Sequence, residues 1–407
     1  MTLPAISPLA ELDIIEADAQ LDPIIQFPHA LSEHPLAPRT VFLTGATGFL
    51  GAYLLDEILG KTGATVYCLV RASDTAAGNE RIAGQLRTYN LWQDSFASRI
   101  QPLVGDVSQP FMGLSEKQFL DLAAQTDVIY HSAGWLNMAF PYARLKPVNV
   151  TGTLEVLRLA GTISTKPVHF VSSIAVFYTE PNSDAVLLKE SDVPQYDASL
   201  RGGYSKSKWV ADRLVGAAHE RGLPTTIHRP VRIMGHSRTG VHDDMNDILP
   251  LLLKGCILLG YYPSFDVKVT MAPVDYLSQA MVHLASQKKS WGRAFHFFHP
   301  APIEWRGLMG ILQALGYPME EVPYEQWWRE LKRRRSVEES ADDKSFLSAL
   351  ILALTAPHFL FYKRPPLDDN NIREGLAGTG ISCAPIDRTL IGNYISYWQK
   401  SGFLPLP

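Results

Sequence analysis

The sequence is short of cysteine, of net charge and of long apolar runs, and each shortage argues against a class of protein. The three cysteines, Cys68, Cys256 and Cys383, lie far apart and form no CxxC pair. Their spacing argues against a disulfide framework or a zinc site, and a reducing cytoplasm is the expected compartment. A formal net charge of -4 gives wholesale nucleic-acid binding no electrostatic support. The N-terminus lacks a basic stretch followed by an apolar run, so no signal peptide is expected. The most apolar stretch, residues 346–362, is interrupted by Pro357 and is short for a bilayer span. It reads as a buried helix, and no transmembrane segment is expected. Repeats and low-complexity tracts are also missing.

What is present is the composition of a globular protein with a large core. The 407 residues are 46% hydrophobic, 10% aromatic and 19% charged. Residues 1–38 are rich in proline and acidic residues, with little regular pattern, and read as a leader that packs on the main body or links it to something upstream. From Arg39 onward, short apolar runs alternate with helix-like stretches. The expected strands are 40–44, 64–70, 99–104, 127–131, 168–172 and 225–228, with a helix over 49–59. Such alternation predicts a doubly wound α/β fold, a parallel sheet with helices on both faces. Beyond Gly235 the chain becomes irregular, and residues 290–407 show helical patterns with many aromatics. A smaller, mostly helical domain is expected there.

The run Thr44-Gly45-Ala46-Thr47-Gly48-Phe49-Leu50-Gly51 closes the first strand and opens the first helix. Its glycines permit a tight turn, a close backbone approach to a pyrophosphate, and close packing of helix on strand. The helix N-terminus presents N–H groups and a positive dipole end to phosphates. A dinucleotide is therefore expected, on a Rossmann-type domain. The end of the second strand decides between cofactors. Arg71 stands there, where an acidic residue would exclude a 2′-phosphate, and Arg81 is a second candidate phosphate ligand or a solvated helix residue. Asp74 nearby is the one feature that favours NAD. NADPH is the expected cofactor. Asp106 and Val107 after the third strand, and Ser132, Ala133 and Gly134 after the fourth, extend the expected cofactor site.

Tyr204-Ser205-Lys206-Ser207-Lys208 sets a tyrosine and a lysine four residues apart, on one helical face. A phenol titrates near ~10 unperturbed. A neighbouring ammonium favours its ionised form and makes it a usable proton donor near neutrality. The same spacing is common in solvated Tyr/Lys pairs. Two further features favour chemistry: Ser172-Ser173 ends a strand about thirty residues earlier, and Arg229-Pro230 ends the next one.

Together these residues resemble the extended short-chain dehydrogenases/reductases, and within them the thioester reductase group. That group comprises the terminal reductase domains of nonribosomal peptide and polyketide synthases, carboxylic acid reductases and aminoadipate reductases. The resemblance runs over roughly residues 20–407. It is carried by Leu21-Asp22-Pro23, the glycine turn, Cys68-Leu69-Val70-Arg71-Ala72, Asn137, Pro141-Tyr142, Asn149-Val150-Thr151-Gly152-Thr153, Pro273-Val274-Asp275-Tyr276 and Ser401-Gly402-Phe403-Leu404-Pro405. Fatty acyl reductases share the opening but fit the later blocks less well. The resemblance implies a catalytic set of Ser173, Tyr204 and Lys208, with Ser172 as the alternative serine. It also implies cofactor contacts from Asn149 and Pro230 besides those above. The implied domains are a leader (1–38), an NADP-binding domain (39–235, also receiving about 265–285) and a mainly substrate-binding domain (236–407). The implied reaction is NADPH-dependent reduction of an acyl thioester to an aldehyde, with an alcohol as a further product. The acyl group would ride on the phosphopantetheine arm of a carrier protein, or on coenzyme A. A basic run, residues 329–335 beside Trp327 and Trp328, is either a steering surface for an acidic carrier or a solvated helix face. The competing readings are an extended dehydrogenase or epimerase acting on a free small molecule, and a nucleotide-sensing regulator without chemistry. Tyr204 and Lys208 favour an enzyme.

Overall fold

The computed structural model describes residues 8–177, 187–196, 199–200, 202–243, 247–338, 340–355 and 366–407. Its contacts divide the chain into two compact units. The first is Met1–Val231, Leu277–Phe297 and Pro366–Ile381; the second is Arg232–Tyr276, Phe298–Pro365 and Ser382–Pro407.

The first unit is built on a sheet of β1 (Thr40–Thr44), β2 (Thr65–Val70), β3 (Ile100–Val104), β4 (Val128–His131), β5 (Val168–Val171), β6 (Thr225–Pro230) and β7 (Arg293–Phe297). The strand order is β7-β6-β5-β4-β1-β2-β3, and every neighbouring pair is parallel. Strands buried on both faces need continuous apolar runs. The sequence supplies them: every residue of β4 and β6 is buried, and four of the five in β1. The Rossmann-type parallel sheet expected from the alternation is thus present. The order reverses between β1 and β4, the point where such sheets bind ligands beyond their carboxyl ends.

The helices of this unit are α1 (Pro8–Asp18), α2 (Phe49–Lys61), α3 (Thr75–Thr88), α4 (Glu116–Gln125), α5 (Tyr142–Lys146), α6 (Gly152–Gly161) and α7 (Gly202–Glu220). Local chemistry starts several of them. Ser115 and Gln118 form a reciprocal capping box on α4, and Asp74 caps α3.

Three features depart from the sequence expectations. The leader, expected to have little regular pattern, contains helix α1; its packing on the main body fits the expectation, with Ile15, Leu21 and Ile25 buried in the same core as Val210, Leu214 and Val215 of α7. Two of those three lie past the end of α1, so they share no helical period that a sequence scan would register. Strand β7 was not anticipated: Arg-Ala-Phe-His-Phe carries a charge and an imidazole and has no β-branched residue. The return to this unit, expected near residues 265–285, covers Leu277–Phe297, because α9 (Val274–Ala285) leads into β7. A further return, Pro366–Ile381, carries α13 (Asn370–Leu376) onto it. There a β-carbon on Gly375 would lie 2.2 Å from Leu284 Cδ2.

The second unit contains α8 (Ile248–Leu259), α10 (Trp305–Ala314), α11 (Tyr324–Val337), α12 (Ala341–Thr355) and α14 (Arg388–Lys400), and is mostly helical as expected. Its core centres on Trp305, Leu308, Trp327, Leu331, Tyr394 and Trp398. Asp275 accepts hydrogen bonds from Ser237 N and Oγ at 2.8 and 2.6 Å, pinning the turn after residue 235. In the apolar stretch read as a helix, α12 buries Leu347, Leu350 and Leu354; residues 356–362 lie outside the described residues. Among the described residues no helix is long and apolar enough to cross a membrane.

Candidate active site

The glycine turn is compact in a way that forbids side chains. Gly45 has φ +83, and a β-carbon there would lie 2.7 Å from Ala133 N and 2.8 Å from Ser132 C. One on Gly51 would lie 1.9 Å from Gly45 O. The turn therefore folds against the end of β4 and against the first turn of α2 at once. Gly48 caps α2 in an extended conformation (φ -84, ψ 165). Thr47 and Phe49 are half-buried beside it, while Leu50 is buried in the core. The first N–H groups of α2 lie at the carboxyl end of β1, where they can hold a pyrophosphate. This cradle, closed to any β-carbon, fits a dinucleotide.

At the end of β2, Arg71 is exposed, and Arg81 Nη1 donates to its carbonyl at 2.6 Å, so the two arginines are neighbours. Asp74 is engaged in local structure. It accepts from Ala77 N at 2.8 Å and from Ser73 Oγ at 3.1 Å. Those bonds, the Ala77 one foremost, hold its carboxyl below the usual range. After β3, Asp106 Oδ1 accepts from Ser108 N and Oγ at 2.9 and 2.7 Å, which fixes the turn. Val107 is a packing residue in this structure: a β-carbon on Gly152 would lie 2.8 Å from its Cγ2.

A buried polar chain ties the turn to the next strand and helix. Ala133 N donates to Thr44 Oγ1 at 3.2 Å, and Thr44 Oγ1 lies 2.7 Å from His131 Nδ1. His131 Nε2 lies 3.0 Å from Thr153 Oγ1, which donates to Asn149 O at 2.8 Å. Each hydroxyl has one proton to give. Thr153 gives its proton to Asn149, so it accepts from His131 Nε2–H, and Nδ1 accepts from Thr44. Burial, then the charge of Lys208, pushes His131 down to about 3, so the ring is neutral. Asn149 sits in a five-residue π-helical segment, Pro147–Thr151, between α5 and α6. Its side chain accepts from Trp135 N at 2.6 Å and donates to Trp135 O at 3.1 Å and to Ser207 Oγ at 2.9 Å. It thus fixes the segment after Gly134 and touches the helix that carries Tyr204.

Lys208 lies where the ends of β4 and β5 meet α7. Its Nζ donates to Val171 O at 2.6 Å and stands 4.5 Å from the centre of the Phe170 ring. A β-carbon on Gly134 would be 3.8 Å from that Nζ. Burial lowers Lys208 to about 8, with Asp212 opposing the shift. The side chain remains charged at neutral pH, one turn from Tyr204, which is half-buried. The two serines differ. Ser172 is buried and donates to Asp212 Oδ2 at 2.6 Å. Ser173 is half-buried, and its Oγ accepts from Ala175 N at 3.1 Å, which leaves its proton to be donated. Pro230 is buried at the end of β6, opposite Phe297.

Beneath these residues lies a buried charge cluster that pattern reading passed over. Arg229 donates to Asp212 Oδ2 through Nε at 3.0 Å and to Oδ1 through Nη2 at 2.9 Å. The pair is 3% and 2% exposed. Removing one member of such a pair costs about 3–5 kcal/mol. Arg229 Nη1 also lies 3.3 Å from His296 Nε2, on β7. Glu190, pushed up to about 7 by burial, accepts from His296 N at 2.9 Å and from Asn371 N. The available signal was Asp212 itself, four residues after Lys208 on the same helical face.

The strand order, the glycine cradle and the Tyr/Lys helix define a nicotinamide-dinucleotide-binding oxidoreductase of the short-chain dehydrogenase/reductase type. A family profile described as male sterility protein, NAD-binding, matches residues 43–281. The structure superposes on the terminal R domain of the myxalamid polyketide–nonribosomal peptide pathway with a TM-score of 0.91 and 39% identity, covering 97% of this chain and 99% of that one. A linear gramicidin synthase chain of Brevibacillus parabrevis is 36% identical over 96% of this chain and 8% of its own length. The L-2-aminoadipate reductase of Eremothecium gossypii, in its large chain, is 32% identical over 91% of this chain and 28% of its own. This chain belongs to that NAD-binding family, in its group of terminal reductase domains. It spans under two-fifths of the length of such curated relatives.

Proposed function

We propose that this chain reduces an acyl thioester, carried on the phosphopantetheine arm of a carrier protein, to an aldehyde, using NADPH. The observation that carries the reading is that the half-buried Ser173, the Tyr204/Lys208 helix and the glycine cradle all lie at the carboxyl ends of the central strands, in a chain of the terminal reductase family. NADPH is favoured over NADH by the neighbouring Arg71 and Arg81 and by the engagement of Asp74 as a helix cap.

When bound, the nicotinamide supplies hydride. The chain's own residues do the rest. Ser173 and Tyr204 hydroxyls stabilise the oxyanion that develops on the thioester carbonyl, the largest contribution in such chemistry. Tyr204 gives its proton, and the Lys208 ammonium keeps the phenol acidic. The hemithioacetal then collapses to aldehyde and thiol; a second hydride would give an alcohol. Gly45, Gly48, Gly51 and the 132–134 segment would hold the pyrophosphate of the cofactor, and Asn149 keeps the Trp135 backbone beside that segment in place.

For the carrier protein, the exposed basic edge of α11 is the proposed contact. Trp327 is fully buried and belongs to the core, and Arg333 and Arg334 pair with Glu330 and Glu338. Reversing both arginines to glutamate should raise KM for carrier-bound acyl groups and leave acyl-CoA turnover alone; equal KM values would remove the docking role.

The decisive experiment follows NADPH and NADH oxidation with acyl-CoA, acyl-pantetheine and acyl-carrier substrates, with products trapped. NADPH-specific formation of aldehyde or alcohol supports the reading. Inert thioesters combined with reduction of free aldehydes or oxidation of alcohols would shift the assignment to a small-molecule dehydrogenase. Tyr204→Phe should lower turnover about 10²-fold or more, and undiminished turnover would remove Tyr204 from the mechanism.

A further inference from the structure

Asp212 is the junction of three elements. Its Oδ2 accepts from Ser172 Oγ of the β5 end at 2.6 Å and from Arg229 Nε of β6 at 3.0 Å. Its Oδ1 accepts from Arg229 Nη2 at 2.9 Å. The residue itself stands on α7, four positions after Lys208 and eight after Tyr204, so all three share a helical face. A single carboxylate thus faces two buried cations, and a buried cation left without its anion is strongly disfavoured. Asp212 also holds fast the serine next to the proposed catalytic one.

We propose that Asp212 is a positioning residue of this site. It clamps the β5 end through Ser172 and Arg229, and it supplies the counter-charge for Lys208, so that Ser173, Tyr204 and Lys208 keep one register. The nature of the reaction rests on the function proposed above; the clamp itself does not.

The surroundings of Lys208 make Asp212 its only nearby anion among the described groups that act on it. From α7 come Tyr204 and Asp212. From β4 comes His131, held neutral by burial and by Lys208 itself. From β5 come only the Val171 carbonyl and the Phe170 ring. Arg229 on β6 stands behind Asp212, with His296 of β7 beyond it. Burial and Asp212 act on the lysine in opposite directions, burial the more strongly. Taking the negative charge away therefore lets Lys208 lose its proton at a lower pH, and the site lose its ammonium with it.

The test uses the full chain and three substitutions, Asp212→Asn, Asp212→Glu and Ser172→Ala, with folding and NADPH affinity measured for each. Lys208 titration is read by ¹⁵Nζ NMR on lysine-labelled protein, without substrate. For Asp212→Asn the expected result is a kcat at least ~10-fold lower, a part of the 10²–10⁴-fold that positioned acid–base groups contribute. KM and NADPH affinity should stay within about twofold, while the alkaline limb of the pH profile and the Lys208 titration move to lower pH. Asp212→Glu should restore the limb in part. Ser172→Ala should lower kcat without moving the limb.

An unmoved Lys208 titration in folded Asp212→Asn overturns the proposal. A parallel fall in melting temperature, NADPH affinity and kcat with an unmoved limb also overturns it, since that marks a purely structural pair. If Asp212→Asn does not fold, the longer arm of Asp212→Glu must still shift the limb, and an unshifted limb counts against it. If the wild-type protein turns over no thioester, yet Lys208 responds to Asp212→Asn, the reaction assignment falls and the positioning role stands.

Discussion

Gly51 and Gly60 lie on the same helix, α2, and alanine is expected to act on them in opposite directions. At Gly51 the added β-carbon would sit 1.9 Å from Gly45 O and 2.6 Å from Gly45 C. Both atoms are backbone, in a turn that is itself pressed against Ala133 N, so no side chain can swing aside. The start of α2 must back away from β1. Overpacking costs about 1–3 kcal/mol, and a backbone obstacle puts Gly51→Ala at the upper end, about 3 kcal/mol. At about 2–4 °C per kcal/mol for a unit of this size, Tm should fall by roughly 6–12 °C. At Gly60 nothing among the described residues beyond its own helix lies within 4 Å of an added β-carbon, the position is exposed, and its φ is not positive. Alanine there recovers up to about 1 kcal/mol of helix propensity, a rise of roughly 2–4 °C. Calorimetry of both variants, with and without NADPH, checks the pair. At a hundred times Kd the cofactor should stabilise wild type and Gly60→Ala by about 2.7 kcal/mol. Gly51→Ala should lose most of that protection because its pyrophosphate cradle is displaced. A Gly51→Ala protein with wild-type Tm and full NADPH protection would refute both the steric argument and the location of the cofactor site.

Three other outcomes are expected. Removing Arg71 and Arg81 together should lower NADPH affinity about tenfold or more while NADH affinity stays within twofold, measured by fluorescence titration; equal losses for both cofactors would count against a 2′-phosphate contact. Lys208 is lowered to about 8, so its ammonium is present below that pH and is lost above it; kcat/KM should therefore fall as pH rises past about 8, and a flat profile to pH 10 would exclude Lys208 as the controlling cation. Ser173→Ala should reduce kcat by about 10²-fold, as loss of an oxyanion donor does, more than Ser172→Ala does; the reverse order, measured by steady-state kinetics, would transfer the catalytic role to Ser172.

The cofactor cradle was legible in the sequence because glycine is read directly. Only residues without a β-carbon fit at 45 and 51, and three glycines after an apolar run carry that information locally. The parallel sheet was legible for the same kind of reason: strands buried on both faces must be continuously apolar. Tyr204 and Lys208 were legible because four residues make one helical turn. What the sequence alone could not supply is which residues from distant segments meet. Strand β7 became part of the sheet through its pairing with β6, since Arg293-Ala-Phe-His-Phe has no strand signature of its own. Ile15, Leu21 and Ile25 turned an irregular leader into part of the core of the first unit. The resemblance put Ser173 at the catalytic position with Ser172 as the alternative; only the fold reveals that the Ser172 hydroxyl is tied to Asp212, forty residues away, while Ser173 Oγ accepts from Ala175 N. Asp74 was the one nearby residue that favoured NAD, and only the fold reveals that its carboxylate caps α3. Local sequence determined the elements and their chemistry, because backbone and side-chain periodicity act over a few residues. Only the tertiary structure decided how the buried charges are paired, because burial and counter-charge are properties of segments far apart in the chain.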